Sequence, residues 1–300
     1  MFTQKIIGAF GKEGEEFLKG LEEKIKKISE HWDLTIEGHV ENLSYNYVAK
    51  AIDQNSMPVI LKIGVANFDF KNEAITVRAY NGKGCAKLLR EDVQAGAMLL
   101  ERLQPGMMLF ELSEKEAVEH FAEVWKSIRR PFPPDWPFPT ILDWSKGLDR
   151  YLDYVKSSEE RIPVKMVKRA KAIFDDLMKT SENLELLHGD LHHENILYSD
   201  EKGWSAIDPK GVVGDPYFDL TSFLTNHLFE KANPKSVFEF RINRLISLLN
   251  LDRDRFLRAS FAMAMLYACW GMEDQDNEGA LNTFTCAEWL DEFILSSTCK

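Results

Sequence analysis

The stretches LLHGDLHHENIL, residues 186–197, and WSAIDPK, residues 204–210, decide the fold class of this 300-residue chain. In the first stretch apolar pairs bracket a polar loop, and in the second a short strand pattern delivers an aspartate. Asp190 and Asn195 are five positions apart, and Asp208 follows thirteen positions after Asn195. We expect the three side chains to share one cavity, because a hairpin between Asn195 and Asp208 returns the chain to the loop.

These residue types at this spacing are typical of phosphoryl transfer to a hydroxyl group. That reaction needs a carboxylate that orients and deprotonates the hydroxyl, oxygen ligands for a metal ion, and a cation on the phosphates. Asp190 is the candidate base. Asn195 and Asp208 offer the hard oxygen atoms that Mg2+ prefers.

Upstream of this stretch, the pattern predicts a helix followed by a small antiparallel sheet. Residues 13–31 place apolar side chains three and four positions apart, which is the period of an amphipathic helix. The breaker at 104–106, Gln-Pro-Gly, ends the sheet pattern, so we expect a domain boundary after residue 103. The order before it is β-β-β-α-β-β, with strands expected at 34–40, 45–52, 58–65, 85–91 and 97–103 and a helix at 70–80.

Downstream of the boundary the pattern is mainly helical. Ser113 and Glu116 form the signature of a capping box, which predicts a helix over 113–129. Five prolines within 131–139 predict an extended connector. Further helices are expected at 145–158, 163–181, 216–230, 234–249, 252–271 and 280–296.

The central motif also resembles a known family. The pattern HGDLHxxN at 188–195, followed by Ile-Asp at 207–208, is similar to the catalytic and metal-binding motifs of the aminoglycoside phosphotransferase group of the protein-kinase-like fold. Two further stretches, LLERL at 99–103 and DPKGVVGDP at 208–216, are similar to its streptomycin 6-kinase and hydroxyurea phosphotransferase branch. The stretch WGMED at 270–274 is similar to the same branch. The similarity as a whole spans roughly residues 35–275.

The resemblance implies a fold class and a division of labour. It implies an α+β, bilobal, protein-kinase-like fold with a small antiparallel-sheet N-lobe and a mainly helical C-lobe. Residues 1–103 would bind the nucleotide, and residues 104–300 would carry the catalytic and substrate groups. The cofactors implied are ATP and Mg2+, with Asp190 as the base and Asn195 and Asp208 as the metal ligands.

The same resemblance assigns nucleotide-binding residues in the N-lobe. Lys62 matches the lysine that contacts the α- and β-phosphates, and Glu73 matches the glutamate that pairs with it. The sequence agrees, because Lys62 lies in an apolar strand pattern and would need an anionic partner there. Glu101 and Leu103 would contact adenine through main-chain atoms.

The turn at 38–46 departs from the protein-kinase pattern, because it lacks the G-x-G-x-x-G loop. Asn42, Ser44 and their backbone amides are the candidate phosphate contacts in its place. This departure leaves the choice between ATP and GTP open.

By resemblance, Trp270, Glu273 and Asp274 would face the acceptor, since a polycationic aminoglycoside needs carboxylates around its cationic groups. A solvated helix end is the alternative interpretation of this acidic stretch.

Three polar residues near the catalytic motif are expected to support it rather than to react. His188 would orient the loop by hydrogen bonds. Asp215 and Asp219 would cap and brace the next helix, with Asp219 bonding back to the loop.

Composition limits the classes of protein to which this chain can belong. The chain has 37 basic and 48 acidic residues, a formal charge of −11, which argues against nucleic-acid binding and suits a cationic small-molecule acceptor. The four cysteines form no C-x-x-C pair, and no stretch of about 20 apolar residues suggests a membrane span. We expect a cytoplasmic enzyme with no membrane partner, while its oligomeric state stays open.

The function predicted is transfer of the γ-phosphate of ATP to a hydroxyl of an aminoglycoside, of streptomycin type, or of hydroxyurea, which would confer antibiotic resistance. A kinase of another small metabolite is one alternative. A metal-dependent hydrolase that uses His188, Asp190 and His192 is another, and a nucleotide-binding module without catalysis is a third. The true acceptor, the position modified and the physiological role stay open at this point.

Overall fold

The computed structural model describes residues 2–41, 43–157 and 159–298, without the side chains of 297 and 298. Asn42, predicted to approach phosphates, and Cys299 lie outside these ranges. The chain divides into two compact units. Unit 1 comprises Met1–Met107 and Leu197–Lys210, and unit 2 comprises Met108–Ile196 and Gly211–Lys300.

Unit 1 is built on a five-stranded antiparallel sheet with the strand order β1-β2-β3-β5-β4. One helix, α2 (Phe68–Tyr80), follows β3 in the chain; Asn67 caps its start and Asn81 ends it in a left-handed conformation. The predicted order β-β-β-α-β-β is confirmed. The strands are β1 (Thr35–His39), β2 (Tyr47–Ile52), β3 (Pro58–Ile63), β4 (Leu88–Asp92) and β5 (Ala97–Glu101).

The first helix, α1 (Phe2–Trp32), is longer than the predicted 13–31 and is kinked. Gly11 has φ 53° and ψ −126°, a conformation that only glycine adopts readily, and the helix folds back there. Ile6 is fully buried in the core that covers β3 and β5. A Cβ on Gly14 would lie 2.6 Å from the Ile6 carbonyl oxygen, so the two arms of the helix touch.

A three-stranded sheet, in the order β6-β8-β9, is formed by β6 (Pro105–Met108), β8 (Ile196–Ser199) and β9 (Gly203–Ala206). The sequence pattern did not predict β6, because prolines and glycines are rare inside strands. Within unit 1 the Ala206 amide donates to the Gly84 carbonyl, and the Ala86 amide donates to the Ala206 carbonyl, both at 2.8 Å. Asp208 therefore follows a segment that is fixed to the rest of unit 1.

Unit 2 consists mainly of helices. The helix α8, rich in small and apolar residues, supplies much of the core through twelve buried side chains. Ser113 and Glu116 form the predicted capping box of α3. The helices are α3 (Glu114–Ile128), α4 (Ile141–Tyr154), α5 (Val164–Thr180), α6 (Thr221–Thr225), α7 (Pro234–Leu249), α8 (Arg253–Glu273) and α9 (Asn277–Thr298).

The prediction of a helix over 216–230 is wrong in its extent. A 3-10 segment, Pro216–Leu220, precedes α6, which ends at Thr225. The buried Arg241 guanidinium accounts for this end, because its Nη1 donates to the carbonyls of Phe223, Leu224 and Asn226 at 2.8–3.0 Å. Those acceptors would otherwise continue the helix ladder.

The candidate catalytic motif of unit 2 lies next to a small strand pair. β7 (Glu185–Leu187) pairs antiparallel with β10 (Val212–Gly214), and residues 188–195 form the loop that follows β7. Within the described ranges no helix is long and apolar enough to cross a membrane. The three described cysteines, Cys85, Cys269 and Cys286, are buried free thiols.

Candidate active site

The loop at 188–195, here called the catalytic loop, is held in place by hydrogen bonds to the Asp219 side chain. The Asp219 carboxylate oxygens accept hydrogen bonds from the backbone amides of His188, at 3.0 Å, and of Gly189, at 2.7 Å. Burial raises the pKa of Asp219 to about 6; the two amides oppose that rise and the nearby Asp190 charge adds to it. Gly189 has φ 82°, which lets the chain turn sharply before Asp190.

The backbone of Asp190 is fixed on both sides while its carboxylate stays accessible. Its amide donates to Nδ1 of the fully buried His188 at 3.2 Å. Its carbonyl accepts from the Asn195 Nδ2 at 2.9 Å. The Asp190 side chain is 36% exposed, so it is available to an incoming hydroxyl group.

The contacts of Asn195 also decide which of its atoms is available to a metal ion. Because Nδ2 is used on the Asp190 carbonyl, Oδ1 is the atom left to act as a ligand. Asn195 lies in unit 2 and Asp208 in unit 1. A carboxylate and an amide oxygen are a donor set that fits Mg2+.

His192 faces the candidate base, which the sequence did not indicate. Its Nδ1 accepts a hydrogen bond from the Glu194 amide at 3.2 Å, and its Nε2 lies 3.2 Å from the Asn195 Nδ2. That Nε2 lies 3.6 Å from the Asp190 Oδ1. Among the described residues no group of three or more His, Cys, Asp or Glu side chains is arranged to hold a metal ion, so nothing there supports a site made by His188, Asp190 and His192.

In unit 1, Lys62 is a buried cation between two carboxylates. Its side chain is 3% exposed, and its Nζ lies 2.6 Å from the Glu73 Oε1 and 3.1 Å from the Asp208 Oδ1. Burial alone would lower the pKa of Lys62, but the charges of Asp208 and Glu73 outweigh it and raise the pKa. Sequence reasoning paired Lys62 with Glu73, and the contact with Asp208 adds the second aspartate of the motif.

Asp208 has an unusual backbone. Its φ is 57°, in the left-handed region that non-glycine residues enter only where the surroundings hold them. Its side chain is 41% exposed although one oxygen contacts Lys62.

The two residues expected near adenine lie at and after the end of β5. The Glu101 amide donates to the Lys87 carbonyl at 2.9 Å, and its carboxylate accepts from Lys202 Nζ at 2.6 Å. The amide and the side chain of Glu101 are therefore already used within unit 1. Leu103 is buried.

Asp215, buried at the start of the 3-10 segment Pro216–Leu220, caps that segment and anchors it. Its Oδ1 accepts the Tyr217 amide at 3.0 Å, and its Oδ2 accepts from the Arg255 Nε at 3.0 Å. The structure gives Asp215 a bracing position, with no free carboxylate oxygen for chemistry.

Trp270 belongs to an aromatic row in unit 2. Its ring centroid lies 5.6 Å from that of Trp144 and 5.8 Å from that of Tyr267. A Cβ on Gly147 would overlap the Trp270 indole nitrogen, so this glycine makes room for the ring. Burial raises the pKa of Tyr267, the hydrogen bond with the Ser222 hydroxyl opposes that rise, and the Asp190 charge adds to it. Sequence reasoning missed Tyr267, although it stands three residues before Trp270 on α8.

Glu273 and Asp274, at the end of α8, have different environments. The Glu273 carboxylate forms a two-fold hydrogen bond with Arg150, at 2.9 Å from Nε and 2.9 Å from Nη2. Asp274 is exposed, and its amide donates to the Trp270 carbonyl at 2.9 Å, which ends the helix. A cavity of about 600 Å³ adjoins this end; its lining residues are Arg150, Tyr151, Tyr154, Glu159, Arg161, Met272, Glu273, Gln275 and Asn277.

Comparison with known proteins identifies the family of this chain. The family model described as "Aminoglycoside/hydroxyurea antibiotic resistance kinase" matches residues 31–275. The chain is 27% identical to the hydroxyurea phosphotransferase of Kitasatospora aureofaciens, over 88% of this chain and 77% of that protein. It is 25% identical to the streptomycin 6-kinase of Streptomyces glaucescens, over 89% of this chain and 88% of that protein.

Among solved structures, aminoglycoside phosphotransferase APH(4)-Ia in complex with ADP and hygromycin B superposes with a TM-score of 0.64 at 13% identity, over 88% of this chain and 96% of that chain. This likeness confirms the predicted protein-kinase-like fold. The prediction of a phosphotransferase that acts on a hydroxyl group of a small molecule is confirmed as well. Since the family model covers most of the sequence, the chain belongs to the aminoglycoside/hydroxyurea antibiotic resistance kinases.

Proposed function

We propose that the chain is an ATP- and Mg2+-dependent kinase that phosphorylates a hydroxyl group of an aminoglycoside of streptomycin type and thereby confers resistance to it. The observation that carries this proposal is Lys62, a buried cation between the carboxylates of Glu73 and Asp208. A buried lysine needs such compensation, and it is suited to neutralise nucleotide phosphates. The assignment of nucleotide binding to residues 1–103 and of the acceptor to residues 104–300 is part of the same proposal.

The proposed reaction is a displacement at the γ-phosphorus. The acceptor oxygen forms a bond to that phosphorus, the bond to the bridging oxygen breaks, and ADP leaves with the electron pair. The Asp190 carboxylate takes the hydroxyl proton, while Lys62 offsets the charge of the phosphates. Asn195 and Asp208 would hold Mg2+, which when bound neutralises phosphate charge. Rate acceleration then comes mainly from positioning and electrostatics.

The surroundings of α8 support a cationic acceptor with more than one ring. Aromatic faces such as that of Trp270 attract cations, and the exposed Asp274 adds negative charge. By volume alone, the 600 Å³ cavity beside Glu273 suits a drug-sized ligand, whereas hydroxyurea would fill only a small part of it; the lining also carries Arg150, which pairs with Glu273, and Arg161. From Tyr267 to Glu273 the helix rises about 9 Å, a span that a multi-ring acceptor can cover.

Hydroxyurea is the second candidate acceptor, because a hydroxyurea phosphotransferase is among the relatives. The two acceptors are separated by substrate size, so one assay distinguishes them. A cytoplasmic location is proposed with both, because that compartment supplies ATP.

The test is ADP release by the purified protein with ATP and Mg2+, in separate reactions with streptomycin, a second aminoglycoside, hydroxyurea and a simple sugar. We expect release to depend on one aminoglycoside and to be about 100- to 1,000-fold slower in Lys62→Met. Release with hydroxyurea alone would replace the proposed acceptor. Nucleotide binding without release on any acceptor would favour a non-catalytic nucleotide-binding module and contradict the proposal.

A further inference from the structure

The helix α2 carries two adjacent polar residues that reach different segments of unit 1. The Glu73 carboxylate accepts from the Lys62 Nζ at 2.6 Å. The Asn72 Nδ2 donates to the Lys210 carbonyl at 2.6 Å, and Asn72 is only 2% exposed. Successive helical residues point about 100° apart, so one helix can hold both β3 and the segment after β9.

The segment that Asn72 reaches is the one that carries Asp208; residues 207–210 are here called the Asp208 loop. Upstream, Ala206 is fixed by its two backbone hydrogen bonds to Gly84 and Ala86. Downstream, the Asn72 amide holds the Lys210 carbonyl. The left-handed residue, Asp208, lies between these two anchors.

The left-handed conformation of Asp208 makes the downstream anchor important. A non-glycine residue in this region costs free energy and persists only when its surroundings define it. The ion pair with Lys62 is one contact that defines this conformation, and the same cation also pairs with Glu73. An asparagine within a helix is also a poor helix former, which indicates that its side chain has another task.

We propose that Asn72 is a positioning residue for Asp208. Its hydrogen bond to the Lys210 carbonyl keeps the Asp208 loop in the conformation that presents the carboxylate while that group exchanges Lys62 for a divalent cation. This hydrogen bond, here called the tether, does not depend on the reaction catalysed. The identity of the cation, Mg2+ with a nucleotide, rests on the proposed function.

The test compares Asn72→Leu, which keeps the branching and the number of side-chain heavy atoms but has no donor, with the wild type. Thr76→Val is the matched control, because Thr76 is fully buried on the same helix and its hydroxyl bonds only to the Asn72 carbonyl of that helix. The first measurement is hydrogen exchange without nucleotide at the Ala206 and Gly211 amides, which flank the Asp208 loop and donate to the Gly84 and His188 carbonyls. We expect faster exchange in Asn72→Leu and wild-type exchange in Thr76→Val.

The second measurement is ATP affinity by calorimetry, with Mg2+ and with EDTA. Loss of a partner bonded directly to a metal ligand typically weakens metal binding by about 10- to 100-fold. Because Asn72 bonds the Lys210 carbonyl, two residues after Asp208, the gain in affinity that Mg2+ gives should shrink by about 10-fold in Asn72→Leu. Affinity in EDTA should match the wild type. If both variants lose the Mg2+ gain equally, or if neither measurement changes in Asn72→Leu, the proposal is wrong.

Two further outcomes are separated by this design. If the wild type shows no gain from Mg2+, the proposed function fails, while hydrogen exchange still tests the tether. If Asn72→Leu does not fold, Asn72→Ala replaces it, because alanine is the best helix former and adds no bulk. Failure of both variants to fold would mean that Asn72 is needed for folding, and the positioning role would be rejected.

Discussion

Removing one partner of the ion pair of Arg241 and Glu114 should cost unit 2 several kcal/mol, and the substitution Glu114→Gln tests this. The Arg241 side chain is 0% exposed, and its Nε and Nη2 donate to the two Glu114 oxygens at 2.9 and 3.0 Å. Phe223, whose carbonyl Arg241 also binds, stacks on His193 of the catalytic loop at 4.3 Å between ring centroids. This cluster therefore connects helix packing to the catalytic loop.

Two arguments give the magnitude. Removing one partner of a buried ion pair costs about 3–5 kcal/mol, because the other charge stays buried without its counter-charge. Independently, burial would raise the pKa of Glu114, but hydrogen bonds from Arg241 and Lys231 outweigh it and lower the pKa from 4.5 to about 2. A shift of that size corresponds to about 3 kcal/mol of unfolding free energy. We expect Glu114→Gln to lose about 3 kcal/mol at pH 7.

The sign of the pH dependence follows from the lowered pKa. The contribution of Glu114 is complete above its unfolded pKa of 4.5 and is lost as the pH falls from 4.5 towards 2. The difference in unfolding free energy between wild type and Glu114→Gln should therefore shrink over that interval.

The assay is urea unfolding followed by tryptophan fluorescence at pH 7, 4 and 3. Of the seven tryptophans, Trp32 and Trp204 lie in unit 1 and the others in unit 2, so the signal reports mainly on unit 2. Glu119→Gln is the control, because its ion pair with Arg244 is about one-third exposed and such pairs contribute about 1 kcal/mol or less. Equal losses in the two variants at pH 7 would refute the reasoning.

Three further substitutions have definite expected outcomes. Gly147→Ala overpacks the Trp270 ring, which costs about 1–3 kcal/mol. The acceptor KM should therefore rise while the ATP KM stays unchanged. Steady-state kinetics with the acceptor identified by the screen would show this, and an unchanged acceptor KM would contradict it. Lys62→Met should lower kcat by about 100- to 1,000-fold, whereas Lys50→Met, on the exposed face of β2, should not; equal rates in both variants would contradict the assigned role. Gly11→Ala should cost about 1–3 kcal/mol at the kink of α1, visible as a lower melting temperature, and an unchanged melting temperature would count against strain there.

The regular elements of unit 1 and the catalytic motif could be predicted because their signals are local. The β-β-β-α-β-β order follows from alternating patterns and turn residues, and the chemistry of Asp190, Asn195 and Asp208 follows from residue type and spacing. The contact of Lys62 with Glu73 was also foreseeable, because a lysine in an apolar strand needs an anion.

What the sequence did not indicate depends on residues that are distant along the chain. Glu273 pairs with Arg150, 123 positions away, and no local pattern announces that partner. The bond from Asn72 to the Lys210 carbonyl spans 138 positions, and its only signal was an asparagine inside a helix. The early end of α6 depends on Arg241. Its guanidinium donates to carbonyls that would otherwise accept hydrogen bonds from the amides of a longer helix.

The measurement that tests the central claim most directly is phosphorylation of the identified acceptor, followed by phosphorus NMR, with wild type and Asp190→Asn under ATP and Mg2+. Loss of a positioned base lowers a rate by about 100- to 10,000-fold, so the variant should lose turnover by that order. Its nucleotide affinity should be nearly unchanged, because a base acts on the transition state rather than on binding. A variant that phosphorylates the acceptor at the wild-type rate would contradict the account.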